Sequence, residues 1–171
     1  VNTYPAQYVI NATRSVVQPY MNDKFEANKV CDNVYVGNFA SACDRKMLKQ
    51  FGFKNIVVVA YGLWEMYPED FNYKRIDVID SEYSSLEPYF NEISKFIYDA
   101  AINRNEKVLI HCVAGVSRSG AIAVAYLVLT QNLTVDQALY KIRQWRPKIN
   151  PNPSFMKQLK QLEPKDVEVF E

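Results

Sequence analysis

Apolar residues along the chain follow two alternating patterns, short continuous runs and longer stretches with helical spacing. Residues 33–37, 55–60 and 107–111 are short runs rich in β-branched residues, which predict strands. The alternation of side chains in residues 76–80 predicts a further strand that ends near Asp80. Because the runs lack a polar side, we expect a sheet that helices cover on both faces.

Segments with apolar residues three and four positions apart predict helices. They comprise residues 6–20, 41–51, 86–103, 119–129 and 134–145, and a last helix that begins at Pro153. We expect Ser41 and Thr134 to cap their helices and Gly52 to end the first of these two. Residues 119–129 are apolar nearly all round, so their helix is expected at the centre of the domain.

The order of these elements indicates the fold class. Strands that alternate with helices predict an α/β fold, with a central, mostly parallel mixed sheet flanked by helices. No repeat or Gly/Ser-rich linker divides the 171 residues, so we expect a single domain. A hydrophobic content of 49%, with only 5 Gly and 8 Pro, excludes collagen-like and wholly disordered chains.

Charge and cysteine content limit the partners and the compartment. The chain has 20 Lys and Arg against 19 Asp and Glu, a formal net charge of +1. No overall field favours nucleic acid or an acidic membrane, so we expect neither as a partner. The apolar run at residues 121–129 is short of the roughly 20 residues that cross a bilayer. The three distant cysteines, Cys31, Cys43 and Cys112, indicate a reducing compartment, the cytoplasm or the nucleus.

One stretch carries candidate chemistry, residues 111–120, with the sequence His-Cys-Val-Ala-Gly-Val-Ser-Arg-Ser-Gly. It joins a predicted buried strand to the first turn of a predicted buried helix, where unpaired N–H groups and the helix dipole favour an anion. Gly115 allows the backbone to curl, so that several amides converge on one phosphate. The expected phosphate-binding residues are Val113, Ala114, Gly115, Val116, Ser117 and Arg118.

The side chains of this stretch suit a covalent phosphoryl transfer. Cys112 is expected at the floor of the loop, where the helix N-terminus and a neighbouring cation favour the nucleophilic thiolate at neutral pH. Arg118 can hold a phosphoryl group with two parallel hydrogen bonds. The Ser119 hydroxyl can donate to the sulfur when the covalent intermediate breaks down. With 1 His and 3 scattered Cys, no zinc site is expected, and we expect no metal and no cofactor.

His111, Cys112, Arg118 and Ser119 resemble the His-Cys-x5-Arg-Ser/Thr signature of the cysteine-based protein tyrosine phosphatases, and residues 114–119 most resemble the dual-specificity branch. The resemblance extends over about residues 30–162. Residues 34–37 are similar to that branch's first strand, and residues 146–152 with Phe155, Gln158 and Leu159 to its closing segment. It implies a protein tyrosine phosphatase-like catalytic domain over residues 27–171, after a helical segment at 1–26.

The resemblance also implies a general acid about thirty residues before the cysteine. Asp80 fits, since the predicted strand ends there on the side of the loop, and Glu82 is the second candidate. His111 and, in the closing segment, Asn150 are expected to support the site structurally. A cysteine nucleophile and a carboxylic acid together predict a bell-shaped dependence of rate on pH.

The implied pocket is shallow, so phosphotyrosine and phosphoserine or phosphothreonine of protein substrates in signalling should all enter. An RNA 5′-phosphatase, a phosphoinositide phosphatase and a noncatalytic phosphopeptide-binding module remain as alternatives. Val113 and Ala114 depart from the loop of the RNA enzymes, and the loop has no Lys for a phosphoinositide. Residues 6–20 either pack on their own domain or exchange with a second copy in a homodimer.

Overall fold

The computed structural model describes residues 22–163. The predicted helix at residues 6–20, and the dimer that would use it, lie outside the described residues. Residues 22–26 contain no helix and lead to the first strand through a turn and irregular chain.

A five-stranded mixed sheet forms the centre of the domain. Its strands are β1 (Ala27–Cys31), β2 (Val34–Gly37), β3 (Phe53–Val59), β4 (Asn72–Ile76) and β5 (Lys107–His111). The order across the sheet is β1-β2-β5-β3-β4, and only β1 runs antiparallel to its neighbour. The mostly parallel mixed sheet predicted from the sequence is therefore confirmed, with β5 in its middle.

Six α-helices cover this sheet within residues 22–163. They are α1 (Phe39–Cys43), α2 (Arg45–Phe51), α3 (Glu87–Tyr98), α4 (Arg118–Gln131), α5 (Val135–Arg143) and α6 (Pro153–Lys160). A π-helical turn, Asp99–Asn103, extends α3. In this part of the chain no helix combines the length and the apolar character needed to span a bilayer.

Side chains from the two faces of the sheet enter two separate cores. Val57 and Ile110 pack with α3, α4, α5 and α6, whereas Ile56 and Leu109 pack with α1 and α2 on the other face. The buried residues of α4 run continuously from Ser119 to Thr130, as expected of a central helix. Each large aliphatic side chain buried in this way contributes roughly 1.5–3 kcal/mol.

Two predictions about individual elements are wrong. Of residues 76–80 only Ile76 lies in a strand, at the end of β4, and the chain then continues as a loop. The regular pairing of β3 with β4 stops at Val59 and Ile76, although Tyr61 N still donates to Val78 O over 2.8 Å. Ser41 does not cap a helix over residues 41–51. The segment divides into α1, capped by Asn38, and α2, capped by Asp44.

Other helix ends agree with the sequence. Gly52 ends α2 with φ +80°, and Thr134 caps α5 in a capping box with Gln137. Strand β1 was not predicted. It lies at the edge of the sheet, and its short sequence, Ala-Asn-Lys-Val-Cys, shows no clear alternation of apolar and polar residues.

Candidate active site

The loop between β5 and α4, residues 112–117, lies at the carboxyl end of the central strand. Gly37 at the end of β2 pairs with His111, and Val58 of β3 pairs with the same residue from the other side. The loop therefore begins in the middle of the sheet, where ligands of open α/β folds bind.

Every carbonyl group of this loop accepts a hydrogen bond from a donor outside the loop. The pairs are Cys112 O with His111 Nδ1 (3.0 Å), Val113 O with Phe39 N (2.8 Å), Ala114 O with Arg146 Nη2 (3.4 Å), Gly115 O with Arg146 Nε (2.8 Å), Val116 O with Asn150 N (3.0 Å) and Ser117 O with Ala121 N (2.8 Å). In a trans peptide the N–H group points away from the preceding carbonyl oxygen. The N–H groups of residues 113–118 therefore face the inside of the loop and form an anion-binding nest.

Gly115 is required at the tightest point of this loop. Its φ is +68°, and a Cβ there would lie 2.5 Å from Arg146 Nη2 and 2.6 Å from Gly37 O. Both the left-handed backbone and the lack of space exclude a side chain. Gly115 thus allows the loop to curl for two reasons: it adopts the left-handed backbone without strain, and it leaves room for Arg146 and Gly37.

Cys112 lies at the base of the loop, with 2% of its surface exposed. Its Sγ is 3.1 Å from Ser119 Oγ, which belongs to the first turn of α4. The other two cysteines are half-buried, and burial raises the pKa of Cys31 and of Cys43 to about 12. Of the three, only Cys112 lies at a helix N-terminus beside a ring of inward-facing N–H groups.

Arg118 lies beside the loop at the start of α4 and is partly buried. Its Nη1 donates to Val78 O over 3.1 Å, which fixes the guanidinium against the chain that follows β4. Its Nε is buried and finds no acceptor among residues 22–163. A buried N–H group without an acceptor is costly, and an oxyanion bound in the loop would satisfy it.

Asp80 contacts the loop directly, although it lies four residues beyond the end of β4. Its Oδ1 accepts from Ser117 Oγ (2.8 Å) and from Asn152 Nδ2 (2.9 Å). Asn152 N in turn donates to Ser117 Oγ over 2.9 Å. The side chain of Asp80 is thereby held at the edge of the loop. Glu82 is exposed and lines a neighbouring cleft with Tyr83 and Lys157.

His111 is buried behind the loop, with 1% of its surface exposed. Burial lowers its pKa to about 4, and the hydrogen bond to Cys112 O opposes that shift only in part. The imidazole is therefore neutral at pH 7, with the proton on Nδ1, which faces the carbonyl oxygen.

Sequence reasoning missed two supporting side chains. Arg146 was predicted only as the first residue of the closing segment, with no role at the loop, yet its guanidinium is 1% exposed and contacts two loop carbonyls. Asn152 caps α6 and also contacts Asp80. Both lie in the closing segment, which was the only signal that could have found them. Asn150 lies at the loop through its backbone N–H.

No cluster of three or more His, Cys, Asp and Glu side chains suited to a metal ion occurs among the described residues.

The model of the dual-specificity phosphatase catalytic domain family matches residues 34–165. The chain belongs to the dual-specificity phosphatase family. Dual specificity protein phosphatase 1 of Arabidopsis thaliana is 38% identical over 148 residues, covering 86% of this chain and 74% of that protein. Human dual specificity protein phosphatase 22 is 34% identical over 143 residues, covering 84% and 77%.

Solved structures of the family have the same fold. The crystal structure of human tyrosine phosphatase-like serine/threonine/tyrosine-interacting protein superposes with a TM-score of 0.75 at 26% identity, covering 79% of this chain and 93% of that one. The predicted membership of the dual-specificity branch and the protein tyrosine phosphatase-like fold of a single domain are thus confirmed.

Proposed function

We propose that this dual-specificity phosphatase hydrolyses phosphate monoesters on tyrosine and on serine or threonine side chains of proteins. The observation that carries the proposal is a buried thiol at the base of a loop whose carbonyls are all held outward. That arrangement binds a phosphoryl group directly above a nucleophile. The names of the Arabidopsis and human relatives support protein substrates of both kinds.

In the first step, the Cys112 thiolate attacks phosphorus, and a P–S bond forms as the bond to the ester oxygen breaks. Asp80 gives its proton to the departing oxygen, so that the substrate leaves as a neutral phenol or alcohol. Its contact with Ser117 at 2.8 Å supports this role, because it holds the carboxyl group at the edge of the loop.

In the second step, a water molecule attacks the phosphocysteine, and Asp80 takes its proton. The P–S bond breaks, inorganic phosphate is released and the thiolate is regenerated. Ser119 Oγ, 3.1 Å from Sγ, donates to the sulfur as negative charge returns to it.

The amides of Val113, Ala114, Gly115, Val116, Ser117 and Arg118, together with the Arg118 guanidinium, stabilise the charge on the transferring group. These donors are positioned before substrate binds, so little reorganisation is needed in the transition state. The residues need no metal ion for either step, and we propose metal-independent hydrolysis. Three free thiols support action in the cytoplasm or nucleus, where signalling phosphoproteins occur.

The test is release of inorganic phosphate from a peptide that carries phosphothreonine and phosphotyrosine, measured with EDTA present. We expect hydrolysis at both sites, complete loss in Cys112→Ser, and retained peptide binding in that variant. Preferred turnover of 5′-triphosphorylated RNA or of a phosphoinositide would contradict protein specificity. Peptide binding without turnover by the wild-type protein would favour the noncatalytic module.

A further inference from the structure

The loop at residues 112–117, called the phosphate loop below, is supported from outside by a buried arginine that follows α5. Arg146 Nε donates to Gly115 O over 2.8 Å, and Nη2 lies 3.4 Å from Ala114 O. The side chain is 1% exposed. Burying a guanidinium costs several kcal/mol unless its charge and donors are matched, so such a placement needs compensating contacts.

These contacts lie on the far side of the guanidinium. Arg146 Nη1 donates to Glu26 Oε1 and to Asn28 Oδ1, each over 2.6 Å. Glu26 is itself fixed, because its N–H donates to Ser41 Oγ over 2.7 Å and Lys148 Nζ lies 2.7 Å from its carboxylate. The planar fork of Arg146 therefore connects the chain at the start of β1 to the loop and cannot rotate away from either.

The fit between Arg146 and the loop is close. The place that a Cβ of Gly115 would occupy lies 2.5 Å from Arg146 Nη2. The guanidinium thus fills the space that the missing side chain leaves. Burial lowers the pKa of Arg146, and the carboxylate of Glu26 opposes that lowering only in part.

We infer that Arg146 is a positioning residue for phosphate binding. It holds two loop carbonyls outward, so that the N–H groups that follow them, on Gly115 and Val116, face the phosphate. Glu26 and Asn28, at the start of β1, hold the guanidinium of Arg146 in place. They therefore stabilise the conformation of the loop indirectly, through Arg146. This role rests on the proposed function, since it concerns the phosphate of that reaction. Lysine cannot replace the fork, because a single ammonium group lacks its planar pair of donors.

Three variants test the inference. Arg146→Met removes the donors and the charge, and Arg146→Lys keeps only the charge. Arg104→Met is the matched control, because Arg104 pairs with Asp99 and Glu106 at the other end of β5. The measurements are kcat and KM for an aryl phosphate, the inhibition constant of vanadate and the free energy of unfolding in urea.

For Arg146→Met we expect kcat to fall by about 100-fold, because a small displacement of the loop N–H groups misplaces the phosphoryl group relative to the thiolate. Vanadate should bind about 10-fold more weakly, because its hydrogen bonds to those N–H groups lengthen. Arg146→Lys should recover little of either loss, and Arg104→Met should change neither. A folded Arg146→Met protein with wild-type kcat and vanadate affinity would overturn the inference. So would full recovery by lysine.

If Arg146→Met does not fold, Glu26→Gln combined with Asn28→Ala decides instead. These changes leave Arg146 in place and loosen its far side, so vanadate affinity and kcat should fall by about 3-fold to 10-fold. Unchanged values would overturn the inference. Vanadate binding separates the two proposals: if the wild-type protein binds vanadate without turnover, the proposed function fails, and the vanadate affinities still decide the role of Arg146.

Discussion

The Ser117 hydroxyl donates a hydrogen bond to Asp80 Oδ1 over 2.8 Å, so the phosphate loop itself positions the proposed general acid. Asn152 Nδ2 donates to the same oxygen over 2.9 Å, and Asn152 Oδ1 caps α6. The loop after β4, which contains no strand or helix at Asp80, is therefore connected both to the phosphate site and to the last helix.

Ser117→Ala should slow proton donation to the leaving group. We expect kcat for phenyl phosphate to fall by about 10-fold, with a much smaller change for p-nitrophenyl phosphate, whose leaving group needs little protonation. Asp80→Asn should show the same pattern with a larger loss, on the order of 100-fold to 10,000-fold for the poor leaving group. The slope of log kcat against leaving-group pKa is the measurement.

The control for Ser117→Ala is Ser154→Ala, since Ser154 Oγ accepts from Gln158 Nε2 within α6. This variant should keep the wild-type dependence on leaving group. An equal loss for both substrates in Ser117→Ala would show that the hydroxyl serves phosphate binding and not the acid.

Gly115→Ala should destabilise the protein and impair the phosphate loop. We expect a loss of about 2–4 kcal/mol in the free energy of unfolding, from the left-handed backbone and from overpacking against Arg146 and Gly37. Gly52→Ala is a matched control, because its φ is +80° and no atom outside the adjoining residues lies within 4 Å of the added Cβ. It should cost only about 1 kcal/mol, with kcat unchanged.

Urea unfolding measures both costs, and an aryl phosphate assay measures kcat. Equal destabilisation by Gly115→Ala and Gly52→Ala would mean that the Arg146 side chain moves away from the new methyl group with no loss of stability. In that case the close fit of Arg146 and the loop does not constrain the backbone.

Stability should fall as pH falls from about 7 towards 4, and His111 should be a main cause. Its pKa is about 4 in the folded protein, below the ordinary value of 6.5, so the unfolded chain binds the proton first. The unfolded state is therefore favoured progressively below pH 6.5, by up to about 3 kcal/mol near pH 4. Below that pH the folded protein is protonated too, and this contribution stops growing.

The check is the free energy of unfolding at pH 7.5, 6 and 5 for the wild-type protein and His111→Asn, whose amide can donate to Cys112 O from a similar position. We expect the variant to lose stability less steeply over this range. Glu26 titrates in a lower window: although its burial acts to raise its pKa, Lys148 and Arg146 lower it overall from 4.5. Parallel pH dependences for the two proteins would contradict the assignment to His111.

The features predictable from the sequence are local. Strand β5, helix α4 and the Cys112–Ser119 pair lie within one continuous segment, where apolar runs, glycine and the helix start set the structure. The contacts of Asp80 with Ser117 and of Arg146 with Gly115 join residues 37 and 31 positions apart. Such pairs depend on how the elements pack, which no local pattern contains.

The strand predicted at residues 76–80 was wrong for a similar reason. The predicted alternation describes the burial of residues 76–79, since Ile76 and Val78 are buried and Asp77 and Ile79 are exposed, but it ends before Asp80, which is exposed as well. A strand also needs regular pairing with a neighbour, and β3 ends at Val59. Beyond it, Ala60 N and Tyr61 N donate to Ile76 O and Val78 O, but the chain after Val78 leaves this pairing and forms a loop. Asp80 nevertheless reaches the loop, because Ser117 and Asn152 hold it there.

In the proposed reaction, phosphate passes through the sulfur of Cys112, and trapping the phosphocysteine detects this intermediate itself. The wild-type protein is mixed with an aryl phosphate, quenched within milliseconds in alkaline denaturant, which preserves the P–S bond, and digested at alkaline pH for mass spectrometry. We expect phosphate on Cys112 in the wild-type protein, more of it in Asp80→Asn with a good leaving group, and none in Cys112→Ser. Turnover with no phosphate on Cys112 at any quench time, or equal turnover by Cys112→Ser, would contradict the mechanism.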